Sequence, residues 1–226
     1  MRIVHPERTF TMSLVAKEKI TALLKERKYD EIAEMVLKNK GNIRSLRRLL
    51  YEPGTLLCWR AIEAMGVVAE RLAAQNPEAV RIILRHLLWS INEESGGIGW
   101  SAPECIGEIV SRRPDLFGDY ASIIISYAGE DMLRRGVIWA AGRIAQARPN
   151  LVAGYTPALA AYLDDPDPVV RGYTLRLLDT MGEKLTTKRY AHLMEDRNTV
   201  PIYENDELHE ITVAALAGHL IKTPGD

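Results

Sequence analysis

The chain has 226 residues, 47% of them hydrophobic and 26% charged, which is ordinary for a soluble protein and leaves ample material for a core. Its formal charge of −1 and pI near 6.5 commit the chain as a whole to neither nucleic acid nor an anionic membrane. Two cysteines, without a Cys-x-x-Cys spacing, exclude a disulfide framework, and Cys58 and Cys105 fall inside helical patterns where buried thiols are expected. Helix-forming residues are plentiful and phenylalanine occurs only twice, so helices are favoured over sheets.

The N-terminus lacks the apolar run of a signal peptide and no stretch approaches the length of a membrane span, so the expected location is cytoplasmic. The first eleven residues are expected as an extended arm, or an upstream start before Met12. Apolar spacing then predicts helices over 13–27, 29–38 and 42–50, a helical cap within an N-terminal segment 1–52. Residues 1–50 carry a net charge of +6 and residues 51–226 a net charge of −7. Lys38, Lys40, Arg44, Arg47 and Arg48 make the most basic patch; Arg44, Arg47 and Arg48 share one helix face, either simply solvated or a contact for phosphate or an acidic partner.

Pro53 is expected to open a helix reaching Ala74, and Asn76-Pro77 opens another to Ile91. The stretch 92–104 follows, with three glycines, Gly96, Gly97 and Gly99, beside Glu93, Glu94, Trp100 and Glu104. It lacks the Gly-Lys-Ser/Thr ending of a phosphate-binding loop, and its glutamates oppose an anion. Acid–base work by Glu93, Glu94 or Glu104 needs a separation that spacing does not give. Further helices are expected over 114–127, 131–148 and 149–163, with Arg134, Arg135 and Arg171 placed to pair with acidic turn residues. The segment 195–205 breaks the pattern, and a final helix is expected over 206–222. There, Asp206, His209 and Glu210 read as a charged first helical turn, because no second histidine follows at i+4 to make a metal site. No metal and no cofactor are expected, and no Ser-His-Asp or Cys-His signature is present.

One pattern runs through these helices. Gly66, Gly107, Gly142, Gly182 and Gly218 are separated by 41, 35, 40 and 36 residues. Reading five, four and one residues before each glycine and three after fills all twenty cells with Ala, Val, Ile, Leu, Met or Pro, where about half would be apolar by chance. The recurring glycine suits close helix-to-helix approach. Trp59 and Trp100 both stand seven residues before it, either as packed ends of the core or as a stacking surface in adjacent repeats.

Asp-Pro-Asp-Pro-Val-Val-Arg at 165–171, running into the helix that ends near Gly182, resembles the turn and helix start of HEAT repeats. The alanine-rich copies resemble the HEAT-like repeats of bilin lyases; the resemblance covers 53–222, and only the copy at 165–182 carries the full signature. It implies an all-α fold, an α-solenoid of about five antiparallel helix pairs continuous with the cap, and a binding surface rather than a chemistry. The expected function is a non-enzymatic protein-binding scaffold or assembly factor. Its contact edge would be the 92–104 loop with Glu93, Glu94, Gly96, Gly97, Trp100 and Glu104, together with Trp59 and the faces of the glycine-bearing helices. The alternative is an enzyme on such a scaffold, resembling alkylpurine DNA glycosylases or bilin lyases, although a net charge of −7 over 51–226 counts against a duplex partner.

Overall fold

A computed structural model describes residues 6–92 and 101–221. Among these the regular structure is helical apart from one two-stranded antiparallel hairpin, an all-α fold, and the chain packs as two compact units that divide between Ser101 and Ala102.

In the first unit α1 spans Pro6–Lys25, α2 Tyr29–Lys38, α3 Ile43–Leu49, α4 Leu56–Ala73 and α5 Pro77–Ile91. The residues expected as an extended arm are helical from Pro6 onward, because proline in a first turn gives up an N–H that has no helical partner there. Helix α4 starts at Leu56 rather than Pro53: Thr55 is extended and its Oγ1 accepts from Cys58 N at 3.1 Å, so the cap fixes the start. Asn76 caps α5 in the same way, accepting from Ala79 N at 3.1 Å. Helices α1, α2 and α3 each pack on α4, burying Ile20, Leu24, Ile32, Val36 and Leu46 against its apolar columns. Arg60, itself buried, donates from Nη1 to the carbonyls of Leu24 (3.5 Å) and Lys25 (3.2 Å), placing a cation at the negative end of α1.

The second unit holds α6 (Ala102–Arg112), α7 (Pro114–Phe117), α8 (Asp119–Ile125), α9 (Arg134–Ala147), α10 (Thr156–Leu159), α11 (Pro168–Thr180), α12 (Thr187–Tyr190), the strands β1 (Thr199–Glu204) and β2 (Glu207–Thr212), and α13 (Val213–Ala217). Helices α6, α9 and α11 lie side by side in that order. The expected helix over 114–127 is broken at Gly118. That over 149–163 is a string of 3₁₀ turns around the short α10, since Pro149, Gly154 and Pro157 fall within one stretch too short to absorb them.

The final helix expected over 206–222 is corrected: β2 occupies its first half and only Val213–Ala217 is α-helical. Asn205 (φ 51°) and Asp206 (φ 66°) form the two-residue turn with both central φ positive that matches the twist of paired strands. Val200 and Ile202 are buried, and the Val200 side chain fills the space that a side chain at Gly172 on α11 would need.

Seventeen of the twenty apolar cells are buried, the exceptions being Met181, Leu185 and Ala214. The glycines themselves do different jobs. A Cβ on Gly107 would meet Ala140 Cα of α9 at 2.6 Å, so α6 and α9 touch backbone to backbone there. A Cβ on Gly142 would lie an ordinary 3.9 Å from Leu177, and Gly182 ends α11 in the left-handed region at φ 73°. Close approach is thus the role of Gly107, and chain reversal that of Gly182.

Candidate functional site

The first turns of α6, α9 and α11 lie along one edge of the second unit, and the turns that lead into them are held by arginines. Arg134 donates to Ala128 O (3.0 Å), Gly129 O (3.0 Å), Asp131 (2.5 Å) and, one repeat on, Asp165 (3.1 Å). Arg171 repeats the arrangement, donating to Asp165 O (2.7 Å), Pro166 O (3.0 Å) and Asp196 Oδ2 (2.5 Å). Burial works to raise the Asp196 carboxyl, but the hydrogen bonds from Arg171 and Asn198 outweigh it and hold the group below the usual carboxylate range. Asp167 caps α11 through Val169 N (3.0 Å) and also pairs with Arg135. These three arginines therefore do the structural pairing that their positions predict. Lower on the same helices, buried Glu108 accepts from Arg112 (2.8 Å) and Arg143 (2.6 Å), tying α6 to α9.

Glu104, in the first turn of α6, is different. Its carboxyl occupies the space above Gly136 in the first turn of α9: a Cβ there would lie 2.5 Å from Oε2 and 2.8 Å from Oε1. Oε2 is sealed and has no hydrogen-bond partner among the described residues. The residue as a whole keeps partial exposure, but charge resides on the carboxyl oxygens, so the sealed oxygen sets the cost of ionisation. Desolvation pushes this carboxyl up to about 7, against a smaller lowering by its own backbone N–H. Tyr173 on α11 is also buried; its hydroxyl donates to Pro201 O on β1 at 2.9 Å, and burial, then the charge of Glu104, push its ionisation upward. Arg176 pairs with Glu204 beside it. The edge is thus a strip in which a carboxyl and a phenol are both pushed toward their protonated forms and the arginines are engaged.

Of the residues expected at the contact edge, Glu93, Glu94, Gly96, Gly97 and Trp100 lie outside the described residues. Glu104 sits as above, and Trp59 is in the core of the first unit, 6% exposed. On α3, Arg44 and Arg48 are exposed and Arg47 half-buried. Asp206 stands in the hairpin turn and His209 and Glu210 on β2, where alternation sends neighbouring side chains to opposite faces rather than around a helical turn. Among the described residues no group of three or more His, Cys, Asp or Glu is placed to hold a metal, and no helix is long and apolar enough to cross a membrane. Sequence reasoning missed Tyr173, Gly136 and β2; the alternation of Val200 and Ile202 ahead of Asn205-Asp206 was the available signal for the strand.

Residues 131–179 match the HEAT-like repeat family. That span takes in α9, α10 and most of α11, with the turn that carries Asp165, Asp167 and Arg171. The chain is also similar to an uncharacterized protein of Archaeoglobus fulgidus, 25% identical over 161 residues, 70% of this chain and 84% of that one. No solved structure matches.

Proposed function

We propose that this chain is a protein-binding scaffold without catalytic activity, and that the strip of helix starts in its second unit, with the adjoining hairpin, is the side that meets the partner. What supports the reading is a HEAT-like repeat whose turn residues are committed to one another: Arg134, Arg135 and Arg171 are engaged with Asp131, Asp165, Asp167 and Asp196. Repeats of this kind offer extended surfaces rather than pockets, and their turn edges carry specificity. The sealed Glu104 oxygen fits a packing role better than proton transfer, which needs a group within reach of the substrate. Glu93, Glu94, Gly96, Gly97 and Trp100 are proposed as further partner contacts on the strength of their sequence.

The test is cross-linking of the tagged chain in its native cells, followed by mass spectrometry. The expected result is a protein recovered in near-equal amount, with cross-links to the second unit. Recovery of no stoichiometric partner, or turnover of a bilin or of an alkylated base, overturns the reading.

A further inference from the structure

The hairpin has two outer edges, and they are not alike. Val213 N donates to Asn198 O at 3.0 Å, one rung beyond the last strand pair, so the pairs 200–211, 202–209 and 204–207 face each other, and residues 199, 201 and 203 on β1 and 208, 210 and 212 on β2 turn their backbone groups outward. On β1 that outward side is blocked at its centre. Pro201 has no N–H to offer, and its carbonyl is taken by Tyr173. On β2 the outward N–H and C=O groups of Leu208 and Glu210 have no partner among the described residues, and the sheet stops at two strands.

The side chains around this open edge define what can add to it. Residues 199–212 contain Glu204, Asp206, Glu207 and Glu210 and neither Lys nor Arg, a net charge of −4. Leu208 and Ile211 are half-buried, Glu207, His209 and Glu210 exposed. An added strand would therefore place its backbone against Leu208 and Glu210, apolar side chains beside Leu208 and Ile211, and cations beside Glu207 and Glu210. A second copy of β2 fits poorly, because antiparallel self-pairing centred on Glu210 sets that carboxylate opposite itself, and every register joins two acidic strands.

We propose that β2 is a docking strand that takes an extended, Lys- or Arg-bearing segment of a partner protein by strand addition. This rests on the scaffold reading above and specifies its contact. The backbone supplies the affinity and the acidic side chains select the sequence.

The experiment uses the full chain and a short labelled peptide with Lys at the positions that meet Glu207 and Glu210 and Val at those that meet Leu208 and Ile211, so that each face of the added strand carries one of each. Hydrogen exchange on the bound chain is expected to show new protection at the Leu208 and Glu210 amides, with binding that weakens as salt rises. Leu208→Pro removes one outward N–H while leaving the rungs to β1 intact, as Pro201 already does across the hairpin, and should weaken the peptide about fivefold or more. Glu207→Lys with Glu210→Lys should abolish binding of this peptide and confer binding of its Glu-for-Lys counterpart, a gain that an unfolded variant could not show. Equal binding by all variants, or no protection at Leu208 and Glu210, overturns the proposal. So does dimerisation of the chain through β2 that the peptide fails to disrupt. If a stoichiometric partner is recovered equally by the parent and by Leu208→Pro, the scaffold reading stands and this one falls.

Discussion

Glu104→Gln tests whether the carboxyl against Gly136 is held neutral by burial. In the unfolded chain a glutamate ionises near its ordinary value of 4.5, whereas the folded carboxyl keeps its proton up to about 7. A carboxyl pKa raised on folding costs stability. The cost is absent below about pH 4, grows as pH rises from 4.5 to 7, and is level above that. A gap of about 2.5 pH units, at about 1.4 kcal/mol each, puts the full cost at about 3 kcal/mol above pH 7. Glutamine has nearly the same shape and no charge, so the variant escapes the penalty. Its stability should match the parent at pH 4, exceed it increasingly through neutrality, and stand about 3 kcal/mol higher at pH 8, several degrees in melting temperature for a chain of this size. Denaturant melts across that range, with a carbon-detected NMR titration of the Glu104 carboxyl, measure both sides of the linkage. A carboxyl that titrates near 4.5, or a stability difference that does not change with pH, refutes the argument.

Other substitutions probe the packing. Gly107→Ala sets a methyl against the Ala140 backbone and should destabilise by about 3 kcal/mol, whereas the nearest atoms to a methyl at Gly136 belong to the Glu104 carboxyl, the end of a flexible side chain, so Gly136→Ala should cost less and be largely rescued by Glu104→Ala in the same chain; chemical denaturation ranks them. Arg171→Ala unpairs Asp196 and frees two turn carbonyls, a loss of about 3 kcal/mol at neutral pH. Because the Asp196 carboxyl is depressed when folded, the parent keeps the ion-pair part of that contribution above the ordinary aspartate range and loses it as pH falls below about 4, so the gap between the two acid-unfolding curves should narrow there to what the two carbonyl contacts contribute. Asp206→Gly relieves a non-glycine residue at φ 66° and should raise the melting temperature slightly, by up to about 1 kcal/mol of stability, without altering the helices by circular dichroism.

The apolar columns made the helix stack legible because burial of one helix face imposes a 3.6-residue period, which holds in every cell of α4, α6 and α9. It fails at Met181 and Leu185, which follow the end of α11, where Gly182 turns the chain to φ 73° and resets the register. The turn arginines were legible for a related reason: Asp165, Asp167 and Arg171 lie within one turn of a helix start, so local spacing fixes their geometry. Glycine spacing alone did not distinguish a crossing point from a chain reversal. Gly107 and Gly182 occupy the same column, and only the neighbour across the interface, Ala140 in one case and nothing within 4 Å in the other, separates their roles.

The site depends on contacts between residues far apart in sequence, which no local period encodes. Glu104 and Gly136 are set together by the packing of α6 on α9, and a glutamate in a first helical turn ordinarily reads as a solvated partner of the helix dipole. Its burial follows from the missing side chain at 136, a fact about a different helix. The hairpin was hidden in another way. Glu204 to Glu210 has the charge density of a helix start, and only the paired positive φ values at Asn205 and Asp206 show that the chain turns back there. That reversal stacks Val200 on Gly172, leaves Tyr173 to block one edge at its centre through Pro201, and directs the other edge outward. A helix over the same residues would have satisfied those amides internally. The open backbone at Leu208 and Glu210 therefore exists because this segment is a strand, and its acidity is what sets the class of partner it can pair with.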